Sequence, residues 1–308
     1  KKDDTKTDGT GDADGAKKYT IGVCQLVTHD ALDAATQGFI DAVKDKLGEE
    51  NVTIDVQNAA NDQNVCTTIV NTFVSKKVDL IMANATPALQ AAYNATAEIP
   101  ILGTSVTEYG VALGIDDFDG LVGTNISGTS DLAPLDEQAG IIKELFPDAK
   151  TVGLLYCSAE PNSQYQVDTV KASLEELGYT CEYYAFSDSN DLATVCQSAA
   201  DASDVIYVPT DNTAASNTEA IANVTVPAKT PVIAGEEGIC KGCGVATLSI
   251  SYYDLGVTTG KMAAKILTGE ADISTMPIEF TTATPKYNAS MCETLGITPL
   301  EGYTAIAE

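Results

Sequence analysis

Six times in this chain a run of β-type apolar residues stops on a small polar cluster, at residues 25–29, 84–87, 103–105, 158–163, 209–213 and 235–238. The side chains in those clusters set the chemistry open to the molecule. Thr86 precedes Pro87 where a strand pattern gives way to a helical one, so a hydroxyl and free N–H groups at a helix start could hold a carboxylate there, beyond ordinary capping. Thr104 and Ser105 close the next strand and face the same region. In the second half, Asn162 and Ser163 occupy the equivalent turn, with Glu160 beside them. Asp211 could hold an ammonium group or cap the helix after it, and Glu236 with Glu237 forms a second acidic candidate for an amine. His29 is the single histidine. It could form part of a site wall or donate a hydrogen bond, whereas general-base work would need a nucleophile or an orienting acid that the sequence does not supply. Tyr252 could stack on a ligand. Hydroxyls, amides and carboxylates without a matched catalytic set describe a binder of a small polar molecule.

Several function classes are excluded. The first strand is not followed by G-x-G-x-x-G, and the P-loop, the G-x-S-x-G elbow and H-E-x-x-H are absent. The formal net charge of −27 opposes nucleic-acid binding. The chain has no Arg, so an anionic ligand group must be held without a guanidinium fork. Eight cysteines are scattered along 308 residues, which reads as free thiols rather than a disulfide framework. Cys240 and Cys243 form a lone C-x-x-C with no second pair and no nearby His, so no metal and no cofactor is expected. No stretch approaches the ~20 apolar residues of a membrane span.

The elements that must carry these clusters form two similar halves. The first reads as strand 19–26, helix 32–47, strand 52–57, helix 64–75, strand 78–83 and strand 99–102. The second reads as strand 151–157, helix 163–177, strand 181–186, helix 192–200, strand 203–208 and strand 230–233. Gly22 matches Gly153, Asp79 matches Asp204, and Pro100 matches Pro231. Alternating strands and helices predict an α/β protein with two doubly wound parallel-sheet lobes. Polar clusters at the carboxyl ends of strands are where ligands sit in such sheets. The tail adds strand 245–250, a helix over 255–267 ended by Gly269, strand 277–280 and a short helix over 288–295. These pieces predict a multi-strand hinge near 120–125, 248–252 and 278–282. The resulting division is a disordered polar tether at 1–18, lobe one at 19–122 plus 251–278, and lobe two at 123–250 plus 279–308.

Five segments together resemble the substrate-binding lipoproteins of ABC transporters, in the branch linked to tryptophan, tyrosine and other amino acids. They are IGVCQLVTHDALDAATQGFIDAV, VDLIMANATPALQAAYNAT, CSAEPNSQYQV, IYVPTDNTAAS and YYDLGVTTGKMAAKILTGE, in the family's order from Tyr19 onward. The resemblance implies a type I periplasmic-binding-protein fold with three crossovers. It also implies a monomer on the extracellular face of the membrane, lipid-anchored through a Cys preceding residue 1, that passes an aromatic or branched apolar amino acid to a membrane permease. By the same resemblance Thr86 and Ser105 take the α-carboxylate, Asp211 or Glu237 takes the α-amine, and Leu26, His29 and Leu32 face the ligand side chain. Asn162 and Ser163 close from lobe two.

Two other readings compete. Cys24 and Cys157 lie on the first strands of the two halves, as a cofactor-independent two-cysteine amino-acid racemase would require. Their positions do not match, since Cys24 is two residues after Gly22 and Cys157 four after Gly153. A ligand-sensing ectodomain would share the binding fold and differ only in its partner.

Overall fold

The computed structural model describes residues 17–307. The tether expected at 1–18 lies outside these residues except for Lys17 and Lys18. Lobe one is built from β1 (Tyr19–Gln25), α1 (Asp30–Leu47), β2 (Val52–Asn58), α2 (Gln63–Lys76), β3 (Leu80–Asn84), α3 (Thr86–Ala95), β4 (Ile101–Val106), α4 (Tyr109–Leu113) and β5 (Ile126–Ser130). The chain then crosses to lobe two through α5 (Leu135–Leu145), β6 (Thr151–Cys157), α6 (Pro161–Glu176), β7 (Thr180–Phe186), α7 (Leu192–Ala202), β8 (Val205–Val208), α8 (Asn212–Ala215), α9 (Thr218–Ala228), β9 (Val232–Ala234), α10 (Glu237–Cys243) and β10 (Ala246–Ile250). It returns as α11 (Tyr252–Thr268) and β11 (Glu279–Phe280), then ends in lobe two as β12 (Ala283–Tyr287), α12 (Ala289–Leu295) and β13 (Thr304–Ala305).

The first sheet has the order β2-β1-β3-β4-β5-β11 and is parallel throughout. The second runs β7-β6-β8-β9-β10-β12-β13, with β12 antiparallel to β10. Both begin with the doubly wound order whose switch point opens a crevice at the strand ends. The strands alternate between two buried faces, as period-2 side chains must. Ile81 and Ala83 join the cluster around Phe73, while Leu80 and Met82 join the one around Phe39. In lobe two Leu154 and Tyr156 face Val170, while Leu155 and Cys157 face Phe186.

The internal repeat extends to individual hydrogen bonds. Asp79 accepts from the backbone N–H and hydroxyl of Thr20 at 2.7 and 2.9 Å, and Asp204 accepts from the same groups of Thr151 at 3.0 and 2.9 Å. The carbonyls of Pro100 and Pro231 accept from Ile81 and Ile206, each at 2.9 Å. In both lobes an Asp before one central strand pins the start of its neighbour.

Sheet membership moves the first crossover. β5 belongs to the first sheet, so the chain leaves lobe one after Ser130 and not near 122. β11 pairs with β5, so the last crossover follows Phe280 and not 278. The β10–α11 and β11–β12 joints fall within the hinge segments expected at 248–252 and 278–282, so only the lobe boundary at 278 shifts there, by two residues. β5 escapes a hydropathy reading because Ile126 is its single large apolar residue. Its Ser and Thr are buried and bonded instead: Ser127 donates to the Met276 carbonyl at 2.9 Å, and Thr129 pairs with Thr104 and Thr259 at 3.1 and 2.9 Å.

The return helix α11 packs against α1 with backbones nearly touching. A Cβ on Gly256 would meet the Ala35 carbonyl oxygen at 2.0 Å, and one on Gly38 would meet that of Tyr253 at 2.1 Å. That contact fixes Tyr252, the first residue of α11, against lobe one.

Candidate functional site

The carboxyl ends of the strands converge on a narrow polar cavity between the lobes. Lobe one contributes His29, Ala31 and Leu32 at the start of α1, and Ser105 and Thr107 at the end of β4. Lobe two contributes Asn162 from α6, residues 210–212 with Ala215 around α8, and Glu236 before α10. The hinge contributes Asp131, just after β5, and Tyr252.

Three oxygens in this lining are buried without a hydrogen-bond partner: Ser105 Oγ, Asp131 Oδ1 and Asn162 Oδ1. An unsatisfied buried polar group costs about 1–3 kcal/mol. The three come from lobe one, the hinge and lobe two, so they converge on one space from three directions. Ser105 also stands in the left-handed region at φ 53°, and Ala85, across the β3–β4 pair, at φ 90°. Such strain is characteristic of ligand-clamping segments.

The acids differ in how far they are occupied. Asp131 Oδ2 accepts from Tyr252 at 2.8 Å and its Oδ1 is open. Burial raises its carboxyl above the ordinary value, and the Tyr252 hydroxyl acts against that rise. Asp211 caps α8 through Ala214 N–H at 2.8 Å and accepts from Cys157 N–H at 2.7 Å, which satisfies both oxygens. Burial and nearby Glu160 push it up to about 8. Glu236 caps α10, accepting from Gly238 and Ile239 N–H at 2.6 and 2.5 Å, and burial raises it to about 7. Burial lowers His29, against the opposing pull of its bond to Asn212.

Among the residues singled out from sequence, His29, Leu32, Ser105, Asn162, Asp211, Glu236 and Tyr252 line this cavity. Glu160 and five others do not. Leu26 packs in the lobe-one core. Thr86 is the buried first residue of α3, behind Ala85. Thr104 is spent on Thr129, and the Ser163 hydroxyl accepts from the Asn162 amide at 3.4 Å. Glu237 pairs with Lys286 of β12 at 2.5 Å, because the cap position belongs to Glu236 and the next residue turns outward. Sequence reasoning missed Asp131, Thr107 and Asn212 as individual candidates. Asn212 at least lies in a recognised cluster; Asp131 follows a strand with no apolar run to announce it.

The lobes touch across the cleft. His29 Nε2 lies 3.2 Å from Asn212 Oδ1, and Asn61 Nδ2 donates to Thr213 Oγ1 at 3.2 Å. The two thiols weighed for racemisation are elsewhere. Cys24 is in the lobe-one core and Cys157 in a lobe-two core. The bond with the neighbouring Cys66 thiol and burial raise Cys24, and burial raises Cys157 to about 12, so neither is a thiolate facing the cavity. Among the described residues no group of His, Cys, Asp and Glu is arranged to hold a metal ion, and no helix is long and apolar enough to cross a membrane.

Two parallel-sheet lobes, three crossovers and a polar cavity closed between them define a type I periplasmic-binding-protein fold. The chain belongs to the family of ABC transporter substrate binding proteins, which it matches over residues 20–307. It is 39% identical over 260 residues to the tyrosine-binding protein of Clostridioides difficile (strain R20291), covering 84% of this chain and 75% of that one. It superimposes with a TM-score of 0.89 on a Streptococcus pneumonia ABC domain in complex with L-Trp, at 32% identity, covering 94% of this chain and all of that one (100%). The ligand-free, open structure of a Clostridium difficile substrate binding protein with adhesive properties is 38% identical over 94% of this chain and 99% of that one, yet its TM-score is 0.72. The more identical sequence gives the poorer superposition. Together with the bonds across the cleft, this marks the lobe arrangement here as closed.

Proposed function

We propose that this chain is the amino-acid-receiving component of an ABC importer and that its ligand has an aromatic side chain. The observation that carries the reading is the open Asp131 Oδ1, buried in a lining that contains acids and no Lys or Arg. A buried carboxylate in such a place calls for a ligand cation. The α-ammonium would sit on Asp131, with Asn162 Oδ1 as its second acceptor. The α-carboxylate would take the Ser105 hydroxyl. The side chain would lie along Ala31, Leu32 and Ala215 and end near the His29–Asn212 pair, where a polar tip on an aromatic ring could be met. The tyrosine and L-Trp named for the relatives support an aromatic ligand. Thr86, Asp211 and Glu237 have supporting roles at most in this arrangement. Family membership supports delivery to a membrane permease by a monomer outside the membrane. Lipid attachment ahead of Lys1 is part of the same reading, resting on the polar 1–18 segment.

The test is thermal unfolding against a panel of amino acids with sugars and nucleosides as controls. A ligand at 100 times its dissociation constant adds about 2.7 kcal/mol to the native state. A shift with L-tyrosine or L-tryptophan, and none with their decarboxylated or N-acetylated forms, is the expected result. A shift confined to a sugar or nucleoside would sink the assignment.

A further inference from the structure

Glu160 lines no part of the cavity, and the ligand contacts assigned above do not include it. It precedes Pro161 at the start of α6 but gives that helix no side-chain cap. Its carboxylate, with the residue 4% exposed, reaches instead to the loop after β8. Oε1 accepts from the N–H and hydroxyl of Thr213 at 2.9 and 2.8 Å. Oε2 accepts from the N–H and side-chain amide of Asn212 at 3.0 and 2.8 Å, and from the Asn162 amide at 3.2 Å.

A carboxylate with no proton can only accept. Each of the three side chains must therefore turn a donor toward Glu160 and an acceptor away from it. The outward acceptors are the ones the cleft uses. Asn162 presents Oδ1 to the cavity. Asn212 presents Oδ1 to His29 of lobe one, and Thr213 presents Oγ1 to Asn61 of lobe one. Glu160 thus sets the polarity of both cross-cleft bonds and, with the Thr210 carbonyl at 3.3 Å and Ser163 Oγ at 3.4 Å, that of the Asn162 amide.

We propose that Glu160 is a positioning residue that couples ligand capture to lobe closure, by fixing Asn162 toward the ligand and Asn212 and Thr213 toward lobe one. The ligand half of this statement rests on the amino-acid reading above; the closure half does not.

The experiment is a double-mutant cycle of Glu160→Gln and Asn61→Ala, since Asn61 is outside the cavity lining. Two quantities are read on the full chain: affinity for L-tryptophan and L-tyrosine by calorimetry, and lobe separation by donor–acceptor dyes placed on the two lobes. Gln keeps the shape but offers a donor where acceptors are needed. Affinity should fall about tenfold or more, and the ligand-saturated protein should be less closed. Asn61→Ala should weaken binding in the parent and have little further effect in the Glu160→Gln background. An equal fold-loss in both backgrounds, or unchanged closure in Glu160→Gln, would overturn the proposal. Should Glu160→Gln fail to fold, Thr213→Val removes one latch bond and its tie to Glu160, and must shift the dye distance toward open. Should the parent bind neither amino acid, the amino-acid reading fails by itself. The cycle is then read on the ligand-free distance distribution, where the two changes together must do no more than the larger alone.

Discussion

Tyr252 donates its hydroxyl to Asp131 Oδ2 across 2.8 Å, and that bond ties together two of the three crossovers. Asp131 follows the last long strand of the first sheet, and Tyr252 starts the helix that returns from the second. The carboxylate assigned to the ligand's ammonium is therefore oriented by the hinge itself. Ligand charge and hinge geometry meet at one side chain.

Asp131→Asn should abolish most of the affinity. The amide keeps the volume and loses the charge, and removing one partner of a buried charge pair costs about 2–5 kcal/mol. The dissociation constant for L-tyrosine or L-tryptophan should rise roughly 100-fold or more by the same principle. Tyr252→Phe removes an orienting bond worth about 1 kcal/mol and should cost about fivefold. Calorimetry on both variants checks the order; a larger loss in Tyr252→Phe would contradict the assignment.

Ser105 carries both an open hydroxyl and a left-handed backbone at φ 53°. Ser105→Gly keeps the backbone and loses the hydroxyl. Binding should weaken about tenfold, the value of a hydrogen bond to a charged group. The ligand-free chain should hold its melting temperature or gain, because Gly relieves a strain of about 1 kcal/mol. Ser105→Ala should lose the same affinity with no such relief. Melting curves and calorimetry on the two variants separate the hydroxyl from the backbone.

The repeat was legible because its markers do local work: Asp79 and Asp204 each pin a neighbouring strand, and such bonds need specific residues at fixed spacing. The clusters at strand ends were legible for the same reason. What hydropathy missed was β5, whose Ser and Thr are buried by their hydrogen bonds rather than by their apolarity, and with it Asp131. The exchange of Glu237 for Glu236 is a matter of one residue at a helix start, where the cap faces the cleft and its neighbour faces Lys286. Asp211 looked like an amine ligand because an acid after a strand suits either role. Only the positions of Cys157 and Ala214 N–H decide for capping.

The α1–α11 contact predicts a stability effect that also reaches the site. Gly256→Ala places a Cβ against the Ala35 carbonyl oxygen, and overpacking of this kind costs about 1–3 kcal/mol. The melting temperature should fall. Affinity should fall as well, since displacing α11 moves Tyr252 at its first turn. Gly269→Ala at the far end of the same helix faces open space but stands at φ 78°. It should cost stability through the backbone alone and leave affinity intact.

Both cysteines of the racemase reading predict silence. Cys24→Ser and Cys157→Ser remove thiols that stay protonated, Cys24 through its bond with Cys66 and burial and Cys157 through burial, and that do not line the cavity. Each should lower the melting temperature by placing a hydroxyl in an apolar core. Binding of L-tyrosine or L-tryptophan should persist. Deuterium exchange at the ligand's α-carbon, followed by proton NMR, should be absent in the parent; its presence, lost in either variant, would restore the enzyme reading.

The ligand-free chain should lose stability as pH rises from about 5 to 8.5, a window set by linkage. Burial raises Glu236 from an ordinary 4.5 to about 7, and burial with Glu160 raises Asp211 from 3.8 to about 8. Over that interval the folded chain keeps protons that the unfolded chain has released. Their stabilising contribution is complete below the unfolded values and lost as pH passes the folded ones. Asp191 and Asp204, lowered by the N–H groups they accept from, act in the opposite sense, but their contribution disappears only as pH falls through 3.8 and below. His29, lowered from 6.5, also opposes the trend, since its contribution is lost as pH falls below that value. It is one group against three, since burial raises Asp131 as well, and above 6.5 it no longer matters. Melting temperatures should therefore fall across the range, and more gently once pH passes about 7, where Glu236 ionises in the folded chain as well. Glu236→Gln, which cannot ionise, should flatten that decline; a curve that does not fall in the parent would show that the buried acids are charged throughout.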